Sequence, residues 1–278
     1  YGLTWMAYRP IHETECCIGN LHRYMPNYVA RMWLKDKKGH PVAALYGPSS
    51  VVYDLGEGVT VKIDEITQYP FEEQVKFKFT FFKDGKRSAD SHQMDFTYRI
   101  PGWCKAAESG FHTESKEWKS GEVFTVRLPM QIEVVDAPVQ GKCIQRGPIV
   151  YSYAIPANWV EDTKIYDNLA GKVSANPEFK SWELTPAGKW NYALVENMLR
   201  GLRVQRTGNS GFPFDPESVP LKIRVPVKGV KDWTLKEDRF TPALPETVVP
   251  ESEQVEFIEL VPYGSTTLRL TTFPTIKE

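Results

Sequence analysis

The sequence has few cysteines and no excess of charge of either sign. Its 278 residues include only 4 cysteines, and 34 basic residues face 35 acidic ones, for a formal net charge of -1. A cysteine density this low argues against a disulfide scaffold. The balanced charge argues against binding to the phosphate backbone of nucleic acids. No run of apolar residues is long enough to cross a bilayer, so we expect no membrane span.

The composition is that of a folded protein, with 41% hydrophobic and 25% charged residues. This balance is sufficient for one large or two modest domains with their own cores. The first residue is Tyr1 and no basic-then-apolar leader follows it. We therefore expect a fragment of a longer protein, and we leave its compartment unassigned because a targeting signal would lie upstream.

A helical pattern occurs near the amino end. It consists of larger side chains at spacings of three and four, namely Leu21, Met25, Tyr28 and Met32. The spacing predicts an amphipathic helix from Cys17 to about Met32. Pro26 lies inside it and should bend it, because proline lacks a backbone N–H.

After residue 35 the hydrophobic pattern alternates. Clear examples are Val59/Val61/Ile63, Val75/Phe77/Phe79/Phe81, Phe96/Tyr98/Ile100 and Phe124/Val126/Leu128. Alternation of this kind predicts strands with one buried face, and the short turns rich in Gly, Pro, Asp and Ser between them favour β-sandwiches. We therefore predict an all-β chain with two β-sandwich domains, residues 36–146 and residues 147–278, the second with insertions.

Two of the cysteines, Cys16 and Cys17, are adjacent at the start of the predicted helix. One interpretation is that both are small buried hydrophobic residues. A second is chemical, because a helix amino terminus lowers the pKa of a thiol and neighbouring thiols can bind one metal ion. Zinc takes four ligands, and no zinc-finger spacing exists among the nearest candidates, which are His12, Glu13, Glu15 and His22. A zinc site complete within this chain is not expected.

The segment ECCIGNLHR at 15–23 resembles the Cys-Cys-x-x-Asn-x-x-Arg segment of glycoside hydrolase family 127, the β-L-arabinofuranosidase family. Further blocks follow in the order that the family shows: AALYGPSSV at 43–51, ITQYPFEEQVKFKF at 66–79, YRIPGWC at 98–104, FTVRLPM at 124–130, QRGPIVYSY at 145–153 and LVPYGSTTLRLTTFP at 260–274. The resemblance covers nearly the whole chain. It implies an (α/α)6 barrel followed by two β-sandwiches, of which residues 1–35 would be the last part of the barrel, with the Cys-Cys motif.

The resemblance also implies a retaining hydrolase that acts on an arabinofuranose-containing glycan. By position, Cys16 would be the nucleophile, and Cys16 and Cys17 would both bind zinc. Asn20 and Arg23 match the motif and would shape or line the substrate site. The partner in cis would be the upstream helical barrel.

Two departures from the family pattern matter. Ile18 and Gly19 stand where the family commonly has two prolines. The other zinc ligands of the family, a Glu-x-Cys pair, and its acid/base glutamate lie upstream of the motif and are absent from this sequence, and we interpret Glu13 and Glu15 as ordinary loop residues. We therefore expect the chain alone to have no useful turnover, and zinc to bind only when the upstream ligands are present.

Two other functions remain open at this point. The chain could be a non-catalytic β-sandwich module that binds carbohydrate or braces a neighbouring domain, with the cysteines as packing residues. The cysteine pair could also belong to a structural zinc site shared with a partner subunit. Five further side chains are interpreted as having no special role: His40, His92 and His112 in surface loops, and the inert Cys104 and Cys143.

Overall fold

The structure is a computed structural model that describes residues 5–6, 18–161, 180, 182–208, 211–236 and 242–277, with the backbone alone for 5–6 and 18–22. Helix α1 spans Ile18–Ala30. The strands of the amino-terminal half are β1 (Trp5–Met6), β2 (Trp33–Lys35), β3 (Pro41–Ala43), β4 (Ser49–Gly56), β5 (Val59–Thr67), β6 (Gln74–Lys83), β7 (Lys86–Arg87), β8 (Ser91–Ile100), β9 (Gly110–Lys119) and β10 (Val123–Arg127).

The remaining strands are β11 (Ile132–Asp136), β12 (Lys142–Arg146), β13 (Ile149–Ala154), β14 (Ala157–Glu161), β15 (Trp182–Pro186), β16 (Tyr192–Val195), β17 (Val204–Arg206), β18 (Leu221–Gly229), β19 (Glu256–Pro262), β20 (Arg269–Leu270) and β21 (Thr275–Ile276). The all-β class predicted from the sequence is confirmed, and α1 is the one α-helix among the described residues; it lies between β1 and β2. Helix α1 is too short and too polar to cross a membrane, and the described residues contain no other helix that could do so.

Helix α1 ends two residues before its predicted last residue, Met32. The backbone N–H groups of Arg31 and Met32 donate to the carbonyls of Tyr28 and Val29, at 3.0 and 3.2 Å, which tightens the last turn. Met32 is 5% exposed, and its carbonyl accepts a hydrogen bond of 2.8 Å from the N–H of Ala44. Its apolar side chain is therefore buried as the helical pattern indicates, but its backbone already contacts the strand region.

The compact unit Glu15–Gln131 contains two sheets. One has the order β10-β6-β5-β4 with β7 beside β6, and the other has the order β2-β3-β8-β9. Both sheets contribute to one core, in which the alternating residues of β6 are fully buried, as the sequence predicted. Phe96 of β8 packs against Phe79 of β6 at 5.2 Å between ring centroids, so an aromatic cluster joins the two layers.

The second compact unit contains Ile132–Glu278 and the amino-terminal residues, of which β1 is described. Its main sheet has nine strands, with the path β11-β12-β13-β19-β18-β16-β21, while β17 pairs with β18 and β20 with β13. A separate three-stranded sheet has the order β1-β15-β14. The buried side of the main sheet is formed by branched apolar residues such as Ile223, Val225 and Val227 of β18.

The two compact units divide between Gln131 and Ile132, whereas the sequence pattern placed the boundary at 146/147. Strands β11 and β12 form an antiparallel pair, and β12 pairs with β13 in the same sheet. The predicted boundary therefore falls between two hydrogen-bonded neighbours. Alternation identifies strands, but it does not tell which sheet a strand joins, because that depends on pairing distant in sequence.

Candidate functional site

The Cys-Cys motif directly precedes α1. Cys16 and Cys17 lie outside the described residues, and the helix begins at the next residue, Ile18. Asn20 is in the first turn of α1, with its side chain outside the described part of the structure. Arg23 follows three residues later and is exposed, so the two positions lie on the same side of the helix. The proposed catalytic and zinc-binding roles at this position stay predictions.

Tyr28 anchors α1 to the following strands. Its hydroxyl donates a hydrogen bond of 2.9 Å to the carbonyl oxygen of Tyr46. The Tyr46 hydroxyl in turn donates to the carbonyl of Arg99 and accepts from the N–H of Arg99 at 3.0 Å. The helix that follows the cysteine pair is thus connected through Tyr28 and Tyr46 to the β3–β4 loop and to β8, which lie far apart in sequence.

Three of the sequence blocks meet around Tyr46. The first contains Tyr46 itself, the second Tyr69 and the third Arg99 and Trp103. The rings of Tyr46 and Tyr69 pack edge to face at 5.7 Å, and Trp103 hydrogen-bonds the Tyr69 hydroxyl. Burial raises the pKa of Tyr69 to about 12, so this phenol stays protonated at neutral pH. These three blocks are therefore parts of one packed cluster.

A buried carboxyl group, Glu65, lies beside this cluster. The residue is 3% exposed, and its two oxygens accept hydrogen bonds from the N–H of Gly47 at 3.0 Å and from Ser49 Oγ at 3.1 Å. Burial raises the pKa of Glu65 to about 7, although both hydrogen bonds lower it. The pKa of Tyr28 is raised by burial and then by the nearby Glu65 charge.

A carboxyl group with a pKa near 7 has the protonation behaviour of a general acid. In Glu65, however, both oxygens are engaged by the 47–49 segment, and the side chain is enclosed. The arrangement holds this loop against β5. We therefore assign Glu65 to positioning of the loop, and the sequence pattern could have indicated its burial, because it follows Val61 and Ile63 at spacing two.

Replacing Tyr28 by phenylalanine should loosen α1. The change removes one hydrogen bond to Tyr46 and keeps the ring, so we expect a loss of about 1 kcal/mol in the unfolding free energy. Faster hydrogen exchange of the α1 amides should accompany it. Tyr24→Phe is the matched control, because Tyr24 is 67% exposed on the same helix. Equal exchange in both variants would contradict the anchoring role.

Within the described part of the chain, one group of side chains has the arrangement of metal ligands, namely Asp36, His40 and Asp95. The sequence interpretation of His40 as a surface histidine missed this group, since Asp95 is 55 residues away in the chain. Of the other residues interpreted as inert, Cys104 is buried and Cys143 is half-buried, and both are free thiols.

Comparisons with known proteins bear on the region just described. Residues 42–130 match the family described as "Beta-L-arabinofuranosidase, GH127 middle domain". This range runs from β3 to just beyond β10, and it contains Tyr46, Glu65, Tyr69 and Arg99. No curated protein matches the chain.

Solved structures share the fold over almost the whole chain. A GH127 β-L-arabinofuranosidase from Geobacillus stearothermophilus T6 superposes with a TM-score of 0.58 at 18% identity, over 95% of this chain and 37% of that one. A protein described as a glycoside hydrolase superposes with a TM-score of 0.60 at 14% identity, over 98% of this chain and 43% of that one. A GH127 β-arabinofuranosidase superposes with a TM-score of 0.60 at 13% identity, over 98% of this chain and 40% of that one.

The chain thus spans less than half the length of each of these proteins. At such low identity the structural similarity shows the fold alone, whereas the family match is specific to residues 42–130. Together they confirm the resemblance that the ordered sequence blocks predicted. Residues 42–130 of the chain therefore match the middle domain of glycoside hydrolase family 127.

Proposed function

We propose that the chain is part of a retaining β-L-arabinofuranosidase in which Cys16 is the nucleophile. The observation that carries the proposal is the family match over residues 42–130, directly downstream of a segment with the Cys-Cys-x-x-Asn-x-x-Arg pattern. The start of α1 at Ile18 supports it, because the helix dipole and the free N–H groups at this end stabilise a thiolate.

In the proposed reaction, the Cys16 thiolate attacks the anomeric carbon of the arabinofuranosyl group. A C–S bond forms, the glycosidic C–O bond breaks, and the leaving oxygen takes a proton from an acid supplied by the upstream segment. Water then attacks the same carbon, and the C–S bond breaks to regenerate the thiolate while the upstream group removes the proton of the water. Two such displacements retain the anomeric configuration.

The proposal includes a zinc ion that would be bound by Cys16 and Cys17. The donor set fits, because two thiolates suit zinc and provide half of a four-ligand site. When bound, zinc would keep its thiol ligands deprotonated near neutral pH. The remaining ligands would come from upstream of this sequence, so the chain alone should not hold zinc at this motif.

An upstream helical domain in cis is proposed to cover α1. The helix exposes large apolar side chains, with Tyr24 67%, Met25 64% and Val29 59% exposed. An exposed apolar stripe on a single helix is typical of a surface that packs against other elements. Arg23 is on this exposed helix and, with Asn20, is proposed to contact the glycan between the two domains.

The proposal is tested by assaying hydrolysis of 4-nitrophenyl β-L-arabinofuranoside with zinc present. We expect activity from the chain joined to its natural upstream segment and none from the chain alone, because the acid/base group lies upstream. The assay also separates the alternative function, since a non-catalytic carbohydrate-binding or bracing module would hydrolyse nothing in either form. Activity of the isolated chain would contradict the role given to the upstream segment.

A further inference from the structure

We propose that Asp36, His40 and Asp95 form a second metal site, which binds a divalent transition-metal ion such as Zn²⁺ through one nitrogen and two carboxylate oxygens. The residues come from the β2–β3 hairpin and from β8. This site contains no cysteine and does not depend on the proposed glycosidase function.

The spacing of the ligand atoms already matches a bound ion. His40 Nδ1 lies 3.4 Å from Asp95 Oδ2 and 3.8 Å from Asp36 Oδ2, and all three atoms lie within 4.8 Å of one another. Tetrahedral zinc with ligand bonds near 2.0 Å separates its ligand atoms by about 3.3 Å. Binding would therefore need only small side-chain shifts.

Each carboxylate is oriented by a hydrogen bond to its other oxygen. Asp36 Oδ1 accepts from the backbone N–H groups of Lys38 and His40, both at 2.8 Å, and so fixes the hairpin turn. Asp95 Oδ1 accepts from Ser115 Oγ at 2.5 Å. In both residues Oδ2 remains directed at His40. Such outer contacts are what orient the ligands of protein metal sites.

His40 supplies an independent observation. Its Nδ1 atom is buried and has no hydrogen-bond partner among the described residues, although two carboxylate oxygens are nearby. Buried polar atoms without a partner are rare in folded proteins and call for a ligand or a water. An imidazole nitrogen with carboxylate oxygens is a donor set that suits zinc, cobalt and nickel ions. A metal ion at this position would give the nitrogen its missing partner.

Lys38 occupies part of the site when the metal is absent. Its ammonium group lies 3.1 Å from Asp95 Oδ2, and its side chain is 72% exposed. A metal ion would displace the lysine into solvent, and Lys38 is therefore a competitor of the metal.

The test is a calorimetric titration of the chain with ZnCl₂. It is made in a Cys16→Ala/Cys17→Ala background, so that the cysteine pair cannot bind zinc. We expect one equivalent to bind. His40→Ala and Asp95→Asn should each weaken binding at least about tenfold. Ser115→Ala should also weaken it, by about tenfold, which is the lower end of the loss seen when outer-shell partners are removed from known sites. Lys38→Ala should strengthen binding severalfold. His112→Ala, on neighbouring β9, is the matched control and should bind as the parent does.

Melting curves without metal show whether a variant is folded, and ¹⁵N shifts of the His40 ring show whether Nδ1 is the coordinating atom. A zinc affinity that is unchanged in His40→Ala, or no binding at all, would overturn the proposal. Unchanged or weaker binding in Lys38→Ala would also overturn it. If His40 formed only an ordinary ion pair with the two carboxylates, removal of the lysine would not strengthen the binding of a metal ion there.

Discussion

Replacing Cys16 by alanine, in a protein that contains the upstream segment, is expected to lower kcat/KM for an aryl β-L-arabinofuranoside by at least about 10³-fold. Removal of a covalent nucleophile costs this much or more in hydrolases that depend on one. In the proposed reaction the glycosyl intermediate forms on Cys16, so the variant loses the covalent route. Steady-state hydrolysis of the variant and the parent gives the ratio directly.

The matched control is Cys143→Ala, since Cys143 is a free thiol and is half-buried in the other compact unit, 3.6 Å from Thr272 Oγ1. It should keep activity within about twofold, because Cys143 has no part in the proposed reaction and most substitutions outside special sites have small effects. A second measurement detects the proposed covalent intermediate directly. Rapid quenching should give a Cys16 peptide that has gained the mass of one pentosyl group. Full activity of Cys16→Ala would eliminate this residue as the nucleophile.

The sequence alone predicted the features that depend on neighbours along the chain. The spacing of apolar residues predicted α1 within two residues at each end, and alternation predicted β6 with its fully buried face. The motif blocks predicted the family now matched over residues 42–130. Each of these signals is local, so no knowledge of the tertiary structure was needed.

Features that depend on pairing between segments distant in the chain could not be predicted from the sequence. The predicted boundary at 146/147 differs from the division of the compact units at 131/132, because β11 and β12 alternate like the strands before them, yet they join the sheet of β13. The partner of His40 was not recognisable, because Asp95 reaches it only through the pairing of β3 with β8. Glu65 is different, since its inward register after Val61 and Ile63 was readable from the sequence.

Glu65 leads to the second prediction of large effect, a loss of stability between pH 4.5 and 7. The pKa of this carboxyl group is about 7 in the folded protein, because burial disfavours its charged form, against a value of 4.5 without burial. Below pH 4.5 both the folded and the unfolded chain hold the proton. As the pH rises toward 7, the unfolded chain releases it first, so folding becomes less favourable. The loss is complete above pH 7 and amounts to about 3 kcal/mol.

Glu65→Gln should remove this contribution. The glutamine carbonyl can still accept from the N–H of Gly47, and its amide can donate to Ser49 Oγ, which in turn accepts from Trp33 Nε1 at 3.0 Å. The variant carries no charge at any pH, so we expect it to be more stable than the parent at pH 8 by on the order of 2 to 3 kcal/mol. Near pH 4 the two proteins should be almost equally stable.

The measurement is urea-induced unfolding at several pH values from 4 to 8, with hydrogen exchange of the β5 amides to localise the effect to this unit. The difference between Glu65→Gln and the parent isolates one carboxyl group from all the others. Glu117→Gln is the matched control, because Glu117 is exposed on β9, and it should reproduce the pH profile of the parent. A Glu65→Gln profile that follows the parent from pH 4 to 8 would mean that Glu65 has the same pKa in the folded protein as in the unfolded chain, 4.5. In that case the contacts with Gly47 and Ser49 would offset burial, and at neutral pH the loop would be held by a charged anchor instead of a neutral one.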